Sequence, residues 1–158
     1  MRIKSTIFAI LMTFAAMPAW GMDENDNLTL IRLPKDQRDS IAEEIFRDSL
    51  SGSARDALYN KNIETHILQL NGITVGFITH KNLRDQSLPA RHIAHLAIAE
   101  NYRRRGFASF MINEIEEQAR HDKVAIIEIS YDQDVLEYYE KRGYTQDPMH
   151  ACTVMKTL

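Results

Sequence analysis

The chain has 158 residues, 44% hydrophobic and 26% charged, which suits one globular domain with a real core and excludes disordered and collagen-like classes. Nineteen basic residues stand against 22 acidic ones, a formal net charge of −3, whereas a nucleic-acid binder would ordinarily be basic. Cys152 is the only cysteine and the six histidines are scattered without ligand spacing, so neither an intrachain disulfide nor a metal site is expected.

Residues 1–21 read as a signal peptide. Arg2 and Lys4 precede an apolar stretch from Thr6 to Met17, followed by Pro18 and the small-x-small pattern Ala19-Trp20-Gly21. The apolar stretch is shorter than the roughly 20 residues needed to span a bilayer. The expectation is an exported protein, periplasmic or secreted, whose domain covers 22–158; an unprocessed start would leave it cytoplasmic. Removing Arg2 and Lys4 leaves 17 basic residues against 22 acidic, a net charge of −5. That surface suits cationic, amine-bearing partners. It argues against nucleic acid, and the mature chain has no second long apolar segment to span a membrane. A homodimer is allowed.

In chain order, 28–33 (LTLIRL) reads as a strand. Pro34 then opens a helical pattern in which Ile41, Ala42, Ile45, Phe46 and Leu50 share a face, and a short helical piece follows near 55–59. The runs 63–70 and 73–80 flank Asn71-Gly72, the pair favoured by a type I′ hairpin turn. Gly76 inside the second run predicts a bulge or a close backbone approach. Residues 92–99 read as a further strand. From Phe107 to Arg120 the apolar positions recur at helical spacing, with Glu114, Glu116 and Glu117 largely outside that face. The run 124–129 (VAIIEI) is a buried central strand. Asp134 is placed to cap a short helix ending near Gly143, and 151–158 supplies a last strand. The expected fold is a mixed α/β (α+β) sheet with helices on both faces.

The segment NYRRRGFASF (101–110) sits between a strand and an amphipathic helix. A helix start offers unpaired N–H groups and the positive end of the macrodipole, so it attracts phosphate. Gly106 and Ala108 let an anion approach the backbone, and Arg103, Arg104 and Arg105 add charge. The motif Arg103-x-x-Gly106-x-Ala108 resembles the acetyl-CoA-binding signature of the GNAT superfamily of N-acetyltransferases. A second resemblance is Tyr139, four residues before the Gly143-Tyr144 pair. Residues 74–78 (TVGFI) are similar to the family's third strand, and the likeness runs over about residues 28 to 157 in the right order.

The resemblance implies a mostly antiparallel central sheet whose fourth and fifth strands splay, with a pantetheine arm inserting between them along Leu96, Ala97 and Ile98. It implies a diphosphate at the N–H groups of Arg104, Arg105, Gly106, Phe107, Ala108 and Ser109. The co-substrate would be acetyl-CoA, and the reaction direct attack of an amine on the acetyl group. Amine acetylation calls for a base, an oxyanion donor and a proton for the leaving thiolate. His92 is the first choice of base, read as sharing a face with Ala94, Leu96 and Ile98; His95, read on the opposite face, is the second. Several family members carry an acidic residue near this position. Tyr139 is the proton donor, with Tyr138 a packing residue. Where many members have asparagine this chain has Asp132, which would serve helix capping or substrate. The alternative to an active enzyme is an exported GNAT-fold module that binds CoA or a protein partner without catalysis.

Overall fold

The computed structural model describes residues 26–34, 60, 62–83, 87–131 and 133–158. Seven strands lie among them: β1 (Leu28–Arg32), β2 (Glu64–Leu70), β3 (Ile73–Leu83), β4 (Ala90–Ile98), β5 (Ile126–Ser130), β6 (Thr145–Gln146) and β7 (Thr153–Thr157). They form one sheet in the order β1-β2-β3-β4-β5-β7-β6, and only β4 and β5 run parallel. The parallel step is made by helix α1 (Phe107–His121); a shorter helix, α2 (Leu136–Glu140), follows β5. This is the mixed, mostly antiparallel sheet expected from the sequence. The leader, the helical readings over 35–59, Asp132 and part of the 81–90 loop lie outside the described residues. Among those described, no helix is long and apolar enough to cross a membrane.

The β2–β3 hairpin turns as its sequence requires, with φ of 52° at Asn71 and 82° at Gly72, both left-handed. Two register shifts then bend the sheet. In β3, Leu68 pairs with Gly76 and Gln69 with Thr74, so Val75 is the extra residue. In β4, Thr79 pairs with His95 and His80 with Ile93, so Ala94 is the extra residue. Gly76 is the close approach anticipated: a Cβ there would lie 2.7 Å from both the Ala97 carbonyl oxygen and Ile98 Cδ1. The carbonyl is backbone and cannot swing aside. Gly76→Ala is therefore expected to cost about 1–3 kcal/mol, typical of overpacking, read as a lower urea midpoint. An unchanged midpoint would show that the β3–β4 pair yields without strain.

Helix α1 packs on the sheet through Phe107, Met111, Ile112, Ile115 and Ala119, all buried, as its periodicity predicted. Glu116 corrects that reading, because it lies at 3% exposure inside the core. Its carboxylate accepts from Tyr144 Oη at 2.7 Å and pairs with Lys156 Nζ at 2.9 Å, which offsets the cost of burying the charge. Asp134 is a second correction. It falls within a 3₁₀ turn at 133–135, and α2 begins after Val135 with no side-chain cap. Gly143 behaves as predicted, with φ of 84°.

At the other end of the same sheet face, His66 and His80 stack with ring centroids 5.2 Å apart. Both are buried, and among the described residues His66 Nδ1 and both ring nitrogens of His80 have no hydrogen-bond partner. Burial first, then the positive field of Arg32 and Arg91, lowers His66 to about 4. Burial first, then neighbouring His66, lowers His80 to about 3. Both folded values lie below the ordinary 6.5, so the unfolded chain binds more protons under acid conditions. The stabilisation is fully present above pH 6.5 and is lost as pH falls toward 4 and then 3. Between pH 7.5 and pH 5 the pair is expected to remove about 4 kcal/mol of folding stability. Urea midpoints at the two pH values check this, and equal midpoints would show that the pair titrates normally.

Candidate functional site

After β4 the chain makes a 3₁₀ turn at Glu100–Tyr102, then passes through two left-handed residues, Arg104 (φ 64°) and Gly106 (φ 78°), before α1 begins. Gly106 is the N-cap, and no side chain caps the helix. The first intrahelical bond runs from Phe110 N–H to the Gly106 carbonyl at 3.0 Å. The N–H groups of Phe107, Ala108 and Ser109 therefore precede the helical ladder, at the positive end of a 15-residue helix. A cavity of about 470 Å³ opens at this point, lined by Ile98, Tyr102, Arg103, Arg104, Gly106, Phe107, Ala108, Ser109 and Tyr138.

The three arginines divide their work. Arg103 and Arg104 line the cavity. Arg103 Nε also donates to the Ile98 carbonyl at 3.2 Å, tying the turn to the strand end. Arg105 is not part of the lining; its guanidinium lies 5.7 Å from the centroid of the Tyr102 ring, a cation–π contact. The residues present fit a diphosphate: backbone donors at a helix start, a cap without a side chain, and two cations at the rim.

The edge of β4 continues this surface. β4 pairs with β5 only over Ala90–Ile93 against Ile126–Ile129. Beyond Ile93 it pairs on one side alone, with β3 from His95 to Ile98. Leu96, Ala97 and Ile98 thus lie on a strand end whose other edge carries no ladder among the described residues. That is the geometry required for an extended arm to add to the strand, as the resemblance implied.

The extra residue at Ala94 corrects the reading of the histidines. Alternation is broken there, so cross-strand pairing puts His92 (opposite Lys81), His95 (opposite Thr79) and Ala97 (opposite Phe77) on one face. Leu96 and Ile98 point to the other face, with Ile78 and Ile93. His92 and His95 therefore share a face instead of opposing each other. His92 faces Glu128 across the parallel pair, with Nδ1 3.7 Å from Oε2, and its Nε2 lies 3.3 Å from Ser130 Oγ. Burial and then the positive charge of Lys81 lower its pKa, while Glu128 opposes the shift. Burial also lowers that of His95. Both imidazoles are held toward the neutral, proton-accepting form.

Tyr138, read as a packing residue, is half-buried on the cavity lining, with its hydroxyl 2.9 Å from Ser109 Oγ and its ring 5.6 Å from the Arg142 guanidinium. Arg142 also donates to Asn113 Oδ1, which ties the end of α2 to α1. Tyr139 is 7% exposed and sits edge-on to Tyr131, Tyr138 and Tyr144 at 6.1, 5.1 and 5.9 Å. Its spacing from Gly143 also has a local cause. Tyr144 N–H bonds the Tyr139 carbonyl at 3.1 Å and Gly143 N–H bonds that of Glu140 at 2.9 Å, a Schellman cap with its apolar contact between Tyr139 and Tyr144.

Sequence reasoning missed Tyr102, Tyr138, Arg142, Glu128 and Ser130. For Glu128 there was a signal: a lone carboxylate in the apolar run 124–129.

The model of the acetyltransferase (GNAT) domain matches residues 33–153, most of the chain. The protein belongs to the GNAT acetyltransferase family. Comparison with curated protein sequences finds no match. Among solved structures the fold is similar to an acetyltransferase of Trypanosoma brucei (20% identity, TM-score 0.61, covering 79% of this chain and 97% of that one). It is also similar to an aminoglycoside acetyltransferase from an uncultured soil metagenomic sample (18% identity, TM-score 0.59, 78% and 93%). A third is a mutant AtaT toxin bound to the C-terminus of the antitoxin AtaR and acetyl-CoA (12% identity, TM-score 0.58, 83% and 93%).

Proposed function

We propose that this protein transfers the acetyl group of acetyl-CoA to an amine by direct attack. The observation that carries the reading is the juxtaposition of the α1 N-terminal cradle with the unpaired end of β4. A diphosphate at Gly106–Ser109 and an extended arm along Leu96–Ile98 would together direct a thioester toward the point where β4 and β5 part, beside His92. There His92 takes the ammonium proton and the freed amine attacks the acetyl carbon. The C–N bond forms and the C–S bond breaks; Tyr139 protonates the departing thiolate, and the second proton, shed by the acylated nitrogen, restores the Tyr139 hydroxyl.

The similarity to an aminoglycoside acetyltransferase and the acidic composition support amines, including cationic ones, as acceptors. Export by residues 1–21 belongs to the same proposal. It is tested by fractionating the native host and sequencing the N-terminus of the recovered protein; intact Met1 in the cytosol would overturn it. The catalytic reading is tested by calorimetric titration with acetyl-CoA, followed by thiol release in the presence of kanamycin, spermidine and a lysine-containing peptide. Acetyl-CoA binding without turnover of any acceptor would favour the non-catalytic exported module.

A further inference from the structure

Glu128 and Ser130 lie on β5, 36 and 38 residues from His92 in sequence, and the parallel pairing brings both to its imidazole. His92 and Glu128 are register partners, and Ser130 is two residues further along the same face. Ser130 is also one step past Ile129, the last β5 residue paired to β4, so it stands where the strands part. The three side chains grade outward: Glu128 is 12% exposed, His92 19%, and Ser130 lies in solvent. The carboxylate is thus at the closed end of the line and the hydroxyl at the open end.

We propose that Glu128 is a positioning residue that fixes the His92 tautomer, and that Ser130 delivers the acceptor's proton to His92. This rests on the reading of His92 as the base. A carboxylate beside Nδ1 favours the tautomer with hydrogen on Nδ1, donated toward Glu128. Nε2 is then the acceptor, and Ser130 donates its hydroxyl hydrogen to it. The hydroxyl oxygen presents its lone pairs to the open side. An ammonium there passes a proton to Ser130 Oγ as Ser130 passes its own to Nε2. The amine becomes neutral, Ser130 is regenerated, and the imidazolium sits between Glu128 and the hydroxyl. The 3.7 Å separation is long for a hydrogen bond, and such contacts tighten when substrate is bound. Among the described residues, the other charged and titratable groups toward His92 are Lys81 on β3 and His95 on β4; both disfavour the imidazolium, so Glu128 is the compensating charge.

Nitrogen-15 spectra of the histidine side chains in the purified full chain at neutral pH read the tautomer without any acceptor. Wild type is expected to carry hydrogen on Nδ1 of His92. Glu128→Gln should erase that preference, and Ser130→Ala should keep it. Hydrogen on Nε2 in the wild type would overturn the proposal. With whichever probe of kanamycin, spermidine or lysine peptide is acetylated, Glu128→Gln is expected to lower kcat about 10- to 100-fold. It should move the acid limb of the pH profile to lower pH and leave acetyl-CoA affinity unchanged. Ser130→Ala should lower kcat without moving that limb. A Glu128→Gln profile superimposing on the wild type would also overturn the positioning role. If no probe is acetylated while the tautomer behaves as expected, the transferase reading fails and the arrangement of Glu128, His92 and Ser130 stands.

Discussion

Gly106→Glu is expected to abolish acetyl-CoA binding, weakening it by about two orders of magnitude or more. Gly106 caps α1 with φ of 78°, so any L side chain there is strained by about 1–2 kcal/mol. The larger effect is electrostatic. Gly106 lines the cavity framed by Arg103, Arg104 and the free end of α1, so a glutamate there would set a carboxylate against the proposed diphosphate. Gly106→Asn separates the two causes, because asparagine tolerates the left-handed conformation and carries no charge. It should bind acetyl-CoA more weakly than wild type and far better than the glutamate variant. Equal calorimetric affinity for wild type and Gly106→Glu would remove the phosphate reading of the cradle.

Tyr139→Phe is expected to lower kcat about 100-fold while changing acetyl-CoA affinity less than about twofold, the pattern of a group acting mainly in the transition state. Phenylalanine is a clean substitution here. It preserves the ring that meets Tyr131, Tyr138 and Tyr144 and leaves the backbone Schellman bonds intact, so only the hydroxyl is removed. Tyr138→Phe should behave oppositely. Its hydroxyl meets Ser109 on the cavity wall, and its loss should weaken acetyl-CoA binding with kcat nearly unchanged. If Tyr139→Phe turns over at the wild-type rate, the Tyr139–Gly143 spacing is a capping device and nothing more.

How much of this was legible depends on how far apart the interacting residues are in the chain. The Asn71-Gly72 turn, the apolar stripe of α1 and the left-handed Gly143 are set within a few residues of themselves, and the sequence placed each correctly. The proposed anion cradle is local too. A strand, three arginines, a glycine and a helix start fall within about ten positions, so its residues could be named before their geometry was seen. The capping role given to Asp134 failed even at short range, because a 3₁₀ turn over 133–135 moved the helix start past it.

The face that carries His92 was a different matter. One extra residue, Ala94, reverses alternation in β4 and puts His92 and His95 on a common face, and nothing near position 94 announces it. Glu116 looked solvent-facing on the helical wheel and is instead held in the core by Tyr144 and Lys156, 28 and 40 residues away. Which of two adjacent tyrosines lines the cavity was settled by Ser109, 29 residues from Tyr138. The sequence by itself determined strands β1 to β5 and β7, helix α1 and their order, and it placed Gly106 and the arginines at the start of α1, because φ/ψ preferences and helical or strand periodicity are properties of neighbouring residues. Only the tertiary structure decided which side chains meet His92, because strand register is a long-range quantity and a single inserted residue inverts every face beyond it.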